Sequence, residues 1–416
     1  MTDRVAVVGG GAVGVTAAHA LADRGADVTL YERGALASGA SGRAAGIVYD
    51  AFAEDRDAAV AARAIERFRA LDAAGAVDLT PSPYVWLARA GDESRAGALR
   101  EQVQRMRAHD RDVELLDPSE LAERFPALET DVAVAAVARD AGYLEPDSYV
   151  AAMAERARAA DATIHTETKV ALDLAGTAVT IETPGGGEPF DAVLVAAGAH
   201  TGRLLAAAGV AVAMKPYRVQ ALVTEPLGAS APADADSTSA DGDSASANGD
   251  NVSADADRAP ADADSATAGS GGVPMTYDAT GGFYFRPRGG GLLVGDGTEE
   301  AEFDPDDYDE TADAEFCERS RERVRETFGV SPSVRRAWAG LCTATPDRNP
   351  LLGPVDESGT VSVATGWHGH GFMRAPALGE TVAEQVLGGG GIEAFDPRRF
   401  DGDEQFRVVE GMTLDE

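Results

Sequence analysis

The chain has 416 residues, 44% of them hydrophobic, and a formal net charge of −34. That length suits two domains with a sizeable core, while so acidic a surface, with no basic patch, argues against nucleic-acid binding. With only two cysteines, Cys317 and Cys342, a disulfide framework is excluded.

The charge is unusual in kind as well as in size. Lys169 and Lys215 are the only two lysines, and arginine supplies the remaining strong bases. The acidic residues are spread along the whole chain, which favours a cytosol of very high salt over an acidic protein with an acidic tail. The first strand-like run begins at Arg4, so no signal peptide is expected. No apolar run is long enough to span a bilayer. The expected location is a reducing cytoplasm.

The opening "RVAVVGGGAVGVTAAHALADRGADVTLYER" reads as strand, glycine turn, helix and strand. The helix stops at Gly25, a C-cap, and the second strand "DVTLY" ends at Glu32. A glycine- and serine-rich connection follows, "ALASGASGRAAGIV". Residues 56 to 72 then place Val60, Ile65, Phe68 and Leu71 on one helical face. "PYVWLARA" is a predicted strand. "AGALREQVQRMRAHD" is a predicted helix, and "SELAERFPAL" a short one capped by Ser119. "DSYVAAMAERARAADATIH" is a helix leading into a strand through Thr163 and Ile164. "FDAVLVAAGAH", Phe190 to His200, is a buried strand ending in a small-residue turn.

Residues 228 to 272 contain nine aspartates, one arginine and no aromatic residue. Such a segment cannot bury enough surface to offset the entropy of ordering, so a disordered, solvated insert is expected. An acidic interaction tail is the alternative. After it, "TGGFYFRPRGGGLLVGDG" reads as a hairpin around a glycine turn. "DAEFCERSRERVRETFG" is a helix ended by Gly329. "SVRRAWAGLCTATPDRNPLLGPV" is a strand and an irregular loop, "TVSVATG" a last buried strand, and "RAPALGETVAEQVLGG" a closing helix.

Gly9, Gly11 and Gly14 stand in GxGxxG spacing between a strand and a helix. The first allows the tight turn, the second lets backbone approach a pyrophosphate, and the third permits close helix–strand packing. Glu32, at the end of the second strand, is placed to accept hydrogen bonds from an adenosine ribose. This motif by itself does not separate NAD from FAD.

The second loop, with Ser41 in "ASGASGRAAGIV", goes further. Together with "AAGA" at 196–199, "TPDRNPLLGP" at 345–354 and "ATGWHGHGFMRAPALGE" at 364–380, it resembles the D-amino-acid oxidase and glycine/sarcosine oxidase family of FAD enzymes. The motifs fall at both ends and in the middle, in the family's order. The resemblance implies an α/β fold class: a Rossmann-like FAD-binding domain and a second α+β substrate domain built on an antiparallel sheet. The implied division is 1–80, 145–205 and 335–416 for the cofactor, and 81–144 and 206–334 for the substrate, with the acidic insert inside the latter.

The family oxidises a C–N bond by passing hydride from the carbon next to nitrogen to flavin N5. The implied cofactor is non-covalent FAD. Its expected contacts are Gly9, Gly11, Ala12, Val13, Gly14, Glu32, Arg33, Ser41, Arg43, Ala45, Gly46, Ile47, Val170, Ala197, Gly198, Gly340, Gly366, His368, Gly369, His370, Gly371, Phe372 and Met373. A helix starting near Phe372 would point its positive dipole end at the flavin. The expected partners are a small amine or amino acid, oxygen or another electron acceptor, and a partner subunit of the kind used by multi-subunit sarcosine oxidases and archaeal proline dehydrogenases.

The chain departs from familiar relatives at several places. Glycine oxidases carry arginine where this chain has Cys342, and monomeric sarcosine oxidases carry lysine where it has Met373. Leu293 occupies the position of an oxygen-activating lysine, and Gly340 that of the flavin-attaching cysteine. The carboxylate anchor must then lie elsewhere. Arg218, Arg286 and Arg288 are candidates, with Tyr284 near the flavin and His370 as a catalytic group. A metal held by His368 and His370 lacks carboxylate or thiolate partners nearby.

Other functions remain open at this stage: an electron-relaying FAD subunit, a NAD-dependent dehydrogenase, and an FAD enzyme acting on a modified RNA nucleoside. The acidic surface counts against the last.

Overall fold

The computed structural model describes residues 3–176, 178–227, 272–296 and 298–409. The predicted acidic insert, apart from Gly272, lies outside the described residues.

Two large sheets organise the chain. The first has six strands in the order Leu351–Pro354, Val361–Thr365, Ala192–Val195, Arg4–Val8, Asp27–Tyr31, Thr163–His165. All neighbours run parallel except the antiparallel edge pair that joins Leu351 to Thr365. Burial of these apolar runs is near complete, as a parallel sheet with covered faces requires. The helices Ala12–Asp23, Asp55–Ala73, Pro146–Ala159 and Gly371–Val386 pack around one core, where Phe68, Tyr149 and Phe372 meet at ring distances of 5.1 to 5.7 Å. The first and last of these helices approach closely because Gly379 faces Thr16, where a Cβ would meet the threonine's own Cβ at 2.6 Å.

The second sheet has eight strands in the order Val334–Ala344, Lys215–Thr224, Gly291–Asp296, Phe283–Arg288, Met275–Asp278, Tyr84–Arg89, Val132–Ala138, Val113–Leu116. It is antiparallel throughout except where Met275–Asp278 runs parallel to Tyr84–Arg89. One face buries Phe283, Phe285, Leu292 and Val294 under the helix Ala314–Phe328. The strand Val334–Ala344 belongs to this sheet and runs across the expected boundary at 335.

The predicted hairpin is present, and Gly329 ends its helix in a left-handed conformation at φ 67°. Several local expectations are corrected. The short helix Pro118–Arg124 is capped by Asp117, not Ser119, because the Asp117 carboxylate accepts from the Ser119 and Glu120 amides while Glu120 reaches back in a capping box. Within Phe190–His200, Phe190 ends a separate strand, Gly186–Phe190, and the buried strand covers Ala192–Val195 before a single 3-10 turn. The loop after Ala344 contains the further strand Leu351–Pro354, and Val132–Ala138 is a buried strand the reading did not place.

Candidate active site

One cavity of about 840 Å³ lies between the glycine turn of the first sheet and the open face of the second. At one end the Gly9–Gly14 turn packs with no spare room. Gly9 has φ 118°, and a Cβ there would meet the Ala196 carbonyl oxygen at 2.3 Å. Gly14 sits behind the wall, where a Cβ would lie 2.0 Å from the Gly9 oxygen, so it serves helix–strand packing as expected. Gly11, Ala12 and Val13 line the cavity at the start of the helix. Glu32 is held at the edge by the Gly10 amide at 2.6 Å and the Gly34 amide at 2.9 Å. The Ser41 hydroxyl accepts from the Ala12 amide at 2.9 Å, which ties the second glycine loop to the helix N-terminus.

Arg33, Val170, Ala197 and Gly198 line the same end. Above them runs an acidic loop. Asp306 takes hydrogen bonds or ion pairs from Arg33, His200 and Arg203, and Glu310 pairs with Arg43 at 2.7 Å. Arg43, Ala45, Gly46 and Ile47 continue the wall toward Gly340 on the second sheet. A Cβ at Gly340 would meet the Arg43 side chain at 3.1 Å.

The far end is built by the C-terminal loop and helix. His368, Gly369, His370, Gly371, Phe372 and Met373 all line the cavity. Gly366 stands behind them, with φ 80° and Thr345 packed where its side chain would be. His368 braces the loop: its Nε2 accepts from the Thr345 amide at 2.8 Å, which fixes the tautomer. Burial, then Arg348, pushes its pKa down to about 4. His370 caps the helix Gly371–Val386, and burial holds it well below its ordinary value. Its Nε2 faces the Tyr49 hydroxyl at 3.4 Å. The two imidazoles therefore serve different partners, and no described group of three or more His, Cys, Asp or Glu side chains is arranged for a metal ion.

Tyr284 lines the cavity, but two predicted catalytic arginines do not. On the strand Lys215–Thr224, Tyr217, Val219 and Ala221 line the cavity while Arg218 does not. Its guanidinium is engaged by Glu299, Asp313 and the carbonyls of Asp309 and Thr311. Arg286 is 1% exposed and lies under the Tyr143 ring, bonded to Glu145 at 2.8 Å, and Arg288 bonds the other oxygen of Glu145 at 2.6 Å. Tyr143 pairs with Ile47 across a short ladder, and of these residues Ile47 lines the cavity while Tyr143 and Arg286 do not.

Tyr49 and Tyr84, which the sequence reading missed, complete the deep end. Their rings lie 5.1 Å apart, and Phe52 stacks on Tyr49 and meets His370 edge-on. Tyr49 follows the "GIV" of the second glycine loop, and that adjacency was the available signal.

Residues 4–385 match the family described as FAD dependent oxidoreductase. The chain belongs to this family. It is similar to the glycine oxidase of Bacillus licheniformis, at 25% identity over 94% of this chain and 96% of that one. The L-proline dehydrogenase of P.horikoshii has the same fold, with a TM-score of 0.79 at 25% identity, covering 96% of this chain and 98% of that one. FAD-dependent oxidoreductase domain-containing protein 1 of Bos taurus is 34% identical over 28% of this chain, and the match spans only a quarter of that longer protein (25%).

The residues present fit FAD. The glycine turn keeps backbone amides open where a Cβ at Gly11 would meet the Ser41 Oγ at 3.0 Å. Glu32 keeps lone pairs for ribose hydroxyls, and the cavity extends unbroken from there to the first turn of the closing helix.

Proposed function

We propose that this enzyme oxidises the carbon–nitrogen bond of a small amine or amino acid in the cytoplasm, with the six-stranded unit holding FAD and the eight-stranded sheet facing the substrate. The observation that carries this reading is the one cavity joining the Gly9–Glu32 end to the aromatic end at Tyr49, Tyr84, Tyr284 and His370. The similarity to a glycine oxidase and an L-proline dehydrogenase supports it.

FAD, when bound, supplies the acceptor for the hydride that leaves the carbon next to nitrogen. The chain's own residues do the rest. Amides at the start of Ala12–Asp23 and the carboxylate of Glu32 bind the dinucleotide end. The first turn of Gly371–Val386 directs its amides and positive dipole end into the cavity. The aromatic end excludes water and orients the amine. His370 stays neutral and so offers no cation there.

Leu293 is fully buried in the hairpin, at the position where the resemblance to sarcosine oxidases implies an oxygen-activating lysine. This supports reoxidation by an acceptor other than oxygen, through a partner subunit or a small carrier. Fast peroxide formation, one per substrate oxidised, would overturn that part. The oxidation itself is tested by anaerobic bleaching of the flavin in molar salt with sarcosine, dimethylglycine, glycine, proline and D-amino acids.

A further inference from the structure

Among the described residues, Tyr49, Tyr84, Tyr284 and His370 line the deep end of the cavity. Tyr84 and Tyr284 stand on the face of the eight-stranded sheet opposite the helix Ala314–Phe328, Tyr49 reaches in from the short strand Ile47–Tyr49, and His370 closes the group. Burial keeps the Tyr49 and Tyr84 hydroxyls protonated, with Tyr49 pushed up to about 12 and Tyr84 raised well above its ordinary value. It also keeps His370 neutral.

Of the five arginines Arg43, Arg218, Arg286, Arg288 and Arg374, only Arg43 lines the cavity. Arg286 and Arg288 share Glu145, and Arg374 pairs with Asp57 at 2.8 Å. Arg43 pairs with Glu310 at 2.7 Å, and Arg218 with Glu299 and Asp313. A carboxylate carried into this space gives up its water and meets, among these groups, no guanidinium on the cavity wall except Arg43, which is held by Glu310. An amine fares better. Hydroxyl oxygens accept from its N–H, and tyrosine rings attract it when it is protonated.

We propose that the wall formed by Tyr49, Tyr84 and Tyr284 determines specificity, and that the substrate class is a small amine without a carboxylate, of which pyrrolidine is the probe. The inference rests on the oxidation reading above and narrows it. The substrate is held by uncharged hydroxyl and ring surface, with no arginine–carboxylate pair, so its affinity changes little with ionic strength.

The test compares pyrrolidine with L-proline, which differ by one carboxylate. Each is titrated anaerobically into the FAD-loaded protein by calorimetry in molar salt, with flavin absorbance read on the same samples. Pyrrolidine is expected to bind at least tenfold more tightly than L-proline. Equal affinity, a preference for L-proline, or no binding of either overturns the inference. Bleaching is a separate readout. If pyrrolidine binds tightly and no amine ever bleaches the flavin, the oxidation reading fails while the specificity of the wall stands.

Discussion

The Tyr49 hydroxyl stands 3.4 Å from Nε2 of His370 and joins the strand Ile47–Tyr49 to the cap of the helix Gly371–Val386. Tyr49 is half-buried and His370 buried, and both are uncharged at neutral pH. Replacing Tyr49 with phenylalanine removes this contact and keeps the ring against Phe52 and Tyr84. The expected cost in stability is about 1 kcal/mol or less. Turnover is expected to fall about tenfold while flavin content is unchanged. Loss of flavin instead would place Tyr49 in cofactor binding.

Gly11→Ala tests the cofactor end. Its Cβ would meet only the Ser41 hydroxyl, at 3.0 Å, so the fold should survive. The methyl group would project into the cavity where backbone approaches the pyrophosphate. The flavin-to-protein ratio after dialysis should drop at least tenfold. Gly9→Ala should be worse, because it also strains a φ of 118° and collides with the Ala196 carbonyl.

Arg218→Met separates a structural arginine from a substrate anchor. The side chain is 4% exposed and engages Glu299 and Asp313, which are themselves partly exposed. Losing it should cost about 1–3 kcal/mol, less than a fully buried pair because the remaining carboxylates reach water. KM should not move. A tenfold rise in KM with unchanged denaturation would make Arg218 an anchor after all.

The buried histidines give the protein an acid limit. His368 and His370 have folded pKa values below the ordinary 6.5, so the unfolded chain binds more protons as pH falls below that point. Their contribution is complete above pH 6.5 and is lost progressively below it. Between pH 6.5 and 5, His368 should remove roughly 1.5 kcal/mol of stability, and His370 acts in the same direction. The carboxylates lowered by ion pairing, such as Asp313, act only nearer their unfolded value of 3.8. Denaturation midpoints across that window should slope downward with acid, and His368→Asn should flatten the slope.

Met373→Lys places a cation in the neutral end, on the first turn of the closing helix. If the wall is read correctly, the substitution raises the affinity for L-proline at least tenfold. Unchanged affinity in a folded, flavin-loaded variant would show that position 373 does not face the substrate.

The cofactor end was legible because its constraints are local. The tight turn, the approach of backbone and the ribose acceptor are written within Gly9 to Glu32. The C-terminal glycines likewise announce a loop that must come close to something. The substrate end is assembled from distant pieces, and little of it could be read. Tyr49, Tyr84 and Tyr284 come from three separate strands. The fate of Arg218 depends on Glu299 and Asp313, which are 81 and 95 residues away. Arg286 is covered by Tyr143 and Glu145, and nothing in "YFRPR" says so. The parallel pairing of Tyr84–Arg89 with Met275–Asp278 spans the acidic insert and leaves no local trace.

The central claim is a flavin reduced by a small amine. The direct measurement is an anaerobic titration of the purified protein in molar salt, following flavin absorbance. The account predicts bound FAD that bleaches fully with one equivalent of a small amine or amino acid. A protein that holds FAD, is bleached by dithionite, and is left oxidised by every amine and amino acid of the panel would contradict it.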